Sequence, residues 1–273
     1  MTTLTATALQ AGYGPSTILT DLDLAVPPGA ITAIVGANAC GKSTLLRCMA
    51  RLLRPSGGQV VLDGRSLRKI PTRELARSLG LLPQSPIAPD GITVADLVSH
   101  GRHPHQGMLT RWSHADDMAV AAALEATQTT ELAERDVDEL SGGQRQRVWI
   151  AMALAQETDV LLLDEPTTFL DIAHQVEVLD LLVDLNRKRG TTIVMVLHDL
   201  NLAARYADHL VAILRGKVHA AGTAHSVLTE KMVEQVFGVR CRVITDPTSG
   251  QPMMLPLGRH CTTAQSSDGG TLS

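Results

Sequence analysis

Apolar runs alternate with a segment of helical periodicity in the second half of this chain. Residues 160–163 and 191–197 are apolar apart from two threonines, as parallel strands are when both faces are buried. Between them, apolar residues recur at helical spacing: Ile172, Val176, Leu179 and Val183. Gly190 then stands where a helix C-cap belongs. This strand, helix, strand order predicts an α/β fold with a parallel sheet.

The first third of the chain has the pattern of a small antiparallel sheet around one helix. In residues 18–26 the even positions are apolar except Thr20, which predicts a half-buried strand. Residues 59–62 predict a short strand, and residues 30–35 form an apolar run that predicts a buried one. After that run, apolar residues share one helical face through residue 53: Leu45, Leu46, Met49, Leu52 and Leu53.

From Asp90 the pattern becomes mainly helical. Thr93 and Ser113 are candidate N-caps, and Asp116 falls in the first turn after Ser113. We therefore expect a helical subdomain at about 89–154. Residues 101–107 are expected to form a loop between these helices. Its two histidines lie beside a proline without a carboxylate at helical spacing, so we expect surface residues rather than metal ligands.

Composition excludes several classes of protein. The 273 residues carry a formal net charge of −4 and only 2% aromatics, which argues against nucleic-acid binding through phosphates or base stacking. The N-terminus lacks the features of a signal peptide, and no run of 18 apolar residues predicts a membrane span. Four cysteines without CxxC spacing are expected to be reduced thiols of a cytoplasmic protein. Residues 258–273 are predicted to be a disordered tail.

A glycine-rich loop lies between the first buried strand and the first predicted helix. It fits the phosphate-loop pattern of Gly, four residues, Gly-Lys and then Ser or Thr. The nine residues are Gly36, Ala37, Asn38, Ala39, Cys40, Gly41, Lys42, Ser43 and Thr44. Backbone N–H groups in such a loop surround phosphates, the lysine adds a positive charge, and the serine offers a hydroxyl to Mg²⁺. The sequence therefore predicts a nucleotide site.

Two further motifs carry chemistry. Asp164 and Glu165 follow the apolar run 160–163, where a carboxylate can hold Mg²⁺ and its neighbour can orient or deprotonate an attacking water. Residues 140–144 read Leu-Ser-Gly-Gly-Gln before an apolar helix over 148–154. They predict a second helix N-terminus that binds an anion.

Together, these motifs resemble the nucleotide-binding subunits of ATP-binding-cassette (ABC) transporters, over nearly the whole chain to about residue 257. In that family, residues 36–44 correspond to Walker A, 140–144 to the signature and 161–164 to the end of Walker B. The resemblance implies roles for four more residues: Tyr13 stacks on adenine, Gln84 is the Q-loop glutamine, Asp171 the D-loop aspartate and His198 the switch histidine.

Four segments resemble, more narrowly, the ATPases of ferric-siderophore importers, a group that includes haem and vitamin B12 importers: 101–105, 144–152, 167–171 and 197–208. The chain departs from that group at Ala37, Ala39 and Phe169, where Pro, Gly and Tyr are usual. Ala39 matters most, because a Cβ atom is strained at positive φ and glycine is not.

The resemblance implies one ABC ATPase domain over residues 1–257: a phosphate-loop core, a small antiparallel β subdomain and the inserted helical subdomain. It implies ATP hydrolysis that drives import of an iron-siderophore, with haem, vitamin B12 or another metal chelate left open as cargo. Lys42, Glu165 and His198 are the implied catalytic residues. The implied Mg²⁺ ligands are Ser43, Gln84 and Asp164.

The implied assembly is a head-to-tail homodimer on transmembrane permease subunits, at the cytoplasmic face of the membrane, with an extracytoplasmic substrate-binding protein as indirect partner. Four residues then serve the ATP of the other copy: Ser141, Gly142, Gly143 and Gln144. A soluble DNA-repair or translation ATPase usually has a long coiled-coil insertion or a second cassette, which this chain lacks. A non-hydrolysing regulatory cassette would lack Glu165 or His198, and a kinase would not need residues 140–144.

Overall fold

The computed structural model describes residues 2–107, 112–168 and 170–258. The tail predicted at 258–273 lies outside these residues except for Gly258, as do Phe169 and Cys261. The strands, numbered along the chain, are β1 (Leu4–Tyr13), β2 (Ser16–Val26), β3 (Ile31–Val35), β4 (Gly57–Leu62), β5 (Arg65–Ser66), β6 (Leu79–Leu82), β7 (Val160–Asp164), β8 (Thr192–Val196), β9 (His209–Leu214), β10 (Lys217–Gly222), β11 (Cys241–Thr245) and β12 (Pro252–Pro256).

Helices occupy the connections between these strands. The α-helices are α1 (Lys42–Met49), α2 (Thr72–Ser78), α3 (Val94–Ser99), α4 (His114–Ala126), α5 (Gly142–Ala155), α6 (Ile172–Arg189), α7 (Leu200–Tyr206), α8 (Ala224–Val227) and α9 (Glu230–Phe237). Short 3₁₀ helices span Leu67–Lys69, His100–His105, Thr130–Leu132 and Val137–Glu139. Within the described residues, no helix combines the length and apolar character needed to cross a membrane.

The central sheet has the strand order β10-β9-β3-β8-β7-β6. Its strands pair in parallel except β10, which pairs antiparallel with β9 at one edge. Every residue of β3, β7 and β8 is buried, so the predicted α/β class and these three strands are confirmed. The carboxyl ends of parallel strands meet at one edge of a sheet, which brings together the segments that follow β3, β7 and β8.

A second sheet, antiparallel and ordered β2-β1-β4-β5, confirms the small N-terminal sheet. Leu22, Leu24 and Val26 are buried as their even positions predict. Before them the prediction was wrong, because Asp21 has φ 50° and an irregularity in the pairing shifts the alternation. Leu19 is therefore fully buried, although its position is odd, and Ile18 is only partly buried.

Helix α1 is shorter than its apolar pattern predicts. It ends at Met49, and Arg51 has φ 60°, which turns the chain out of the helix. Leu52 is consequently 68% exposed. The expectation that the helical face continues through residue 53 was wrong.

Residues 94–155 hold α3, α4 and α5. The N-caps are confirmed: Thr93 Oγ1 accepts from the Asp96 amide, and Ser113 forms a capping box with Asp116. The expected loop at 101–107 was wrong in part, since it begins as a 3₁₀ helix. The physical reason is Arg102, which is buried and donates to Asp116 Oδ1 at 2.9 Å and to Glu157 Oε2 at 2.8 Å.

Candidate nucleotide site

The loop between β3 and α1 is tightly folded over residues 36–41. Gly36 has φ 156° and Gly41 has φ 111°. A Cβ atom on Gly36 would lie 2.6 Å from Ile213 O, and one on Gly41 would lie 2.7 Å from Leu19 Cδ2. Position 36 therefore requires glycine for space, because a backbone oxygen stands in the way, and position 41 requires it for its positive φ. Ala39 has φ 59°, so the departure noted in the sequence falls at a left-handed position.

The lysine and serine that follow are held at the start of α1. Lys42 is 5% exposed, and its Nζ donates to Gly36 O at 2.9 Å and Ala37 O at 3.0 Å. Ser43 Oγ donates to Asp164 Oδ1 at 3.0 Å, across the gap to the end of β7. This bond joins the phosphate loop to the paired carboxylates.

Glu165 is where three polar side chains meet. Gln84 Nε2 and Thr168 Oγ1 both donate to Glu165 Oε2, the latter at 3.0 Å, and His198 Nε2 lies 2.6 Å from Glu165 Oε1. The carboxylate is buried and its residue has φ 56°. The ends of β6, β7 and β8 supply these groups, as the geometry of a parallel sheet leads one to expect.

Burial raises the pKa of the neighbouring Asp164, and the charge of Glu165 raises it further, whereas the hydrogen bond from Ser43 acts in the opposite direction. Two carboxylates this close both favour a cation between or beside them. The oxygen atoms of Asp164 and Ser43 are the hard donors that Mg²⁺ prefers.

The structure brings nine of the predicted site residues into one cleft of about 440 Å³. They are Asn38, Ala39, Gly41, Lys42, Ser43, Thr44, Gln84, Glu165 and His198. Sequence reasoning missed Ile18, which also lines the cleft, and Thr168, which bonds Glu165. Thr168 lies in the segment 167–171 already singled out and could have been found there. No local signal marked Ile18, because the pairing irregularity near Asp21 decides where its side chain lies.

Other predicted residues lie away from that cleft lining. Tyr13 ends β1, is 43% exposed, and its hydroxyl accepts from Arg47 Nη1 at 2.9 Å. Asp171 caps α6 and contacts His174 Nδ1 at 2.7 Å. The hydrogen bonds from His174 hold the pKa of Asp171 below its ordinary value.

The signature residues begin helix α5. Ser141 is its N-cap, and a capping box joins Ser141 to Gln144. Ser141 Oγ accepts from the backbone N–H of Gln144 at 3.3 Å, and Gln144 Oε1 accepts from the backbone N–H of Ser141 at 3.1 Å. Gly142 and Gly143 form the first turn. None of these four lines the cleft around Lys42.

Fold and cleft together define a phosphate-loop nucleotide-binding protein. A family model described as ABC transporter matches residues 19–168. The chain is 54% identical to the achromobactin transport ATP-binding protein CbrD of Dickeya dadantii, covering 95% of this chain and 96% of that protein. It is 51% identical to the ferric enterobactin transport ATP-binding protein FepC of Escherichia coli, covering 92% and 93%. It is 41% identical to the cobalamin import ATP-binding protein BtuD of Halobacterium salinarum, covering 93% and 64%.

Solved structures agree. A structure assigned to the metal-chelate type of ABC transporter, in an inward-facing conformation, superposes with a TM-score of 0.82 at 29% identity, covering 95% of this chain and 99% of that one. The dimeric ABC transporter cassette MJ0796 superposes with a TM-score of 0.72 at 27% identity, covering 81% and 98%. This chain belongs to the ABC transporter family and is an ATP-binding ATPase of that family.

Proposed function

We propose that this chain hydrolyses ATP to drive import of an iron-siderophore complex across the cytoplasmic membrane. Two relatives, CbrD at 54% and FepC at 51% sequence identity, are named for achromobactin and ferric enterobactin transport. The observation that carries the hydrolytic part is the Glu165 carboxylate, held by Gln84, Thr168 and His198 beside Asp164.

In this proposal the loop 36–44 and Lys42 bind the phosphates of ATP, and Tyr13 stacks on adenine. Ser43, Gln84 and Asp164 would hold Mg²⁺, which would offset the negative charge of the phosphates. The fit rests on the hydrogen bond between Ser43 and Asp164, which places two oxygen atoms of the kind that Mg²⁺ prefers 3.0 Å apart.

Glu165 accepts the proton of the attacking water. Its φ of 56° turns the chain directly after Asp164. Asp164 is bonded by Ser43, whereas Glu165 is held by Gln84, Thr168 and His198. His198, 2.6 Å from Glu165, contacts the terminal phosphate. Fixed groups aimed at the reacting atoms supply most of the acceleration in such a site.

The second half of each site comes from another copy of the chain. The first turn of α5 faces the ATP of that copy through Ser141, Gly142, Gly143 and Gln144. The D-loop aspartate Asp171 lies beside this turn, joined to it through His174. This proposal is supported by the existence of a dimeric cassette with the same fold. The dimer binds transmembrane permease subunits as a peripheral protein on the cytoplasmic face, with an extracytoplasmic binding protein as indirect partner. One domain over 1–257, with helical subdomain 89–154, performs these tasks.

Cobalamin is the second candidate cargo, because a cobalamin import protein is 41% identical. Uptake assays in the organism that carries the gene separate the two. We expect deletion to abolish accumulation of ⁵⁵Fe from ferric siderophores and to leave ⁵⁷Co-cobalamin and haem uptake unchanged. Return of the intact gene, but not of Lys42→Ala, should restore it. If cobalamin or haem uptake is lost instead, that compound is the cargo and the iron-siderophore proposal is wrong. If no uptake changes, the proposed transport role is overturned.

A further inference from the structure

The two glycines of the signature have different surroundings. A Cβ atom on Gly142 would meet no heavy atom within 4 Å. One on Gly143 would lie 2.7 Å from Cδ2 of the His174 ring, and 3.0 Å from both its Cγ and its Nε2. Contacts below 3.0 Å are essentially absent for real Cβ atoms. The imidazole of His174 therefore occupies the space that any larger residue at position 143 would need.

The other side of the same ring is fixed by Asp171. His174 Nδ1 lies 2.7 Å from Asp171 Oδ1, and that oxygen also accepts from the His174 backbone amide at 2.9 Å. One carboxylate oxygen thus holds both the backbone and the ring of His174. A second contact between the two helices lies one turn further along both α5 and α6, where Arg147 Nη1 donates to Glu177 Oε2 at 3.3 Å.

We propose that His174 is a positioning residue that fixes the first turn of α5 relative to Asp171, so that both segments meet the second copy of the chain as one surface. This inference rests on the proposed function of those segments. The ring acts through two contacts: its face sets how closely Gly143 approaches, and its Nδ1 holds the Asp171 carboxylate. The first disfavours a larger residue at 143 while the ring stays in place, and it places no such limit on 142.

A double-mutant cycle followed by thermal melting of the purified chain tests the first contact. Gly143→Ala should lower the melting temperature by about 3 °C or more, which is the size of shift that the loss of a single packing contact gives in a chain of this length. Gly142→Ala, the matched control, should not lower it. In a His174→Ala background, Gly143→Ala should lose its effect. If Gly143→Ala lowers the melting temperature equally in both backgrounds, His174 does not set the approach and the proposal is overturned.

The second contact is tested by ATP hydrolysis of the assembled transporter. His174→Phe keeps a ring over Gly143 but has no donor for Asp171, whereas His174→Asn keeps a donor near Nδ1. We expect kcat to fall roughly tenfold or more in His174→Ala, as misplaced groups do, and to fall less in His174→Phe and His174→Asn, because each keeps one of the two contacts. KM for ATP should change far less. Wild-type kcat in His174→Phe would show that the bond to Asp171 is not needed.

Failure of the proposed function would look different. A fluorescent ATP analogue measures binding to the chain's own cleft, which does not include His174, and its affinity should be the same in all His174 variants. If the intact transporter does not hydrolyse ATP at all, the proposed function fails, while the melting cycle still decides whether His174 spaces the two segments.

Discussion

The cleft around Lys42 and the region formed by residues 141–144 with Asp171 differ in how their polar side chains are held. In the cleft, side chains from distant strands bond one another: Ser43 to Asp164, and Gln84 and His198 to Glu165. In the signature region they bond within their own helix start, through the capping box of α5 and the cap of α6. The cleft is thus assembled by the fold of one chain. The signature region is built from two helix starts, those of α5 and α6, which meet where Gly143 lies against the His174 ring.

The largest effect should come from removing the charge of the cleft. Lys42→Ala deletes the buried ammonium that the loop carbonyls hold, so ATP hydrolysis by the assembled transporter should fall by about 100-fold or more. Phosphate release is the measurement. Lys188→Ala, an exposed lysine on α6, is the matched control and should retain activity. Turnover near that of the intact protein would remove residues 36–44 from the site.

Glu165→Gln should separate binding from chemistry. The amide keeps the shape and the contact with His198 but cannot take a proton, so ATP binds while the chemical step fails. With ATP and Mg²⁺, size-exclusion chromatography should show the variant at dimer mass. Normal hydrolysis by this variant would mean that another group activates the water.

Adding Ser141→Arg to Glu165→Gln tests the comparison directly. An arginine at the N-cap of α5 places bulk and positive charge where the proposal puts the other copy's phosphates, so the double variant should elute as a monomer. It should still bind ATP in its own cleft. A double variant that dimerises as fully as Glu165→Gln would show that the signature does not complete the partner's site.

The unassembled chain should be chiefly monomeric and slow, because one copy holds only one half of each site. Light scattering at the concentration of the hydrolysis assay measures the oligomeric state, and phosphate release from the same sample measures the rate. Full-rate hydrolysis by a strict monomer would mean that the cleft needs no second half.

The smallest effect should be at Ala39. Its φ of 59° places a methyl group where glycine would be unstrained, and the strain is about 1 kcal/mol. Ala39→Gly should therefore raise the melting temperature by roughly 2–4 °C or tighten ATP binding modestly. Ala37→Gly, at a loop position without positive φ, is the control and should give no such gain. A lower melting temperature with weaker ATP binding would contradict the strain argument.

Sequence patterns predicted best what depends on near neighbours. The fully apolar runs that became β3, β7 and β8, and the Ser113 cap with Asp116, needed only local spacing. Contacts between residues far apart in the sequence could not be predicted in this way. Arg102 is buried with carboxylate partners that lie 14 and 55 residues away in the sequence, so its near neighbours do not reveal its burial.

The hairpin of β11 and β12 was missed for a similar reason. Asn201 at the start of α7 holds Met254 through two hydrogen bonds, with its Oδ1 accepting from the Met254 amide at 2.7 Å. Within the site, the motifs predicted which residues cluster around Lys42. They did not predict Thr168 or Ile18, whose positions follow from the folded chain.

Glu165 combines a left-handed backbone with a buried carboxylate, and this has a consequence for protein engineering. Such a residue is strained by about 1 kcal/mol or more, so selection for heat resistance alone would favour glycine there. The gain in melting temperature would come with loss of the proposed base. A library built to stabilise this chain should therefore hold position 165 fixed, since stability and catalysis impose opposite demands on it.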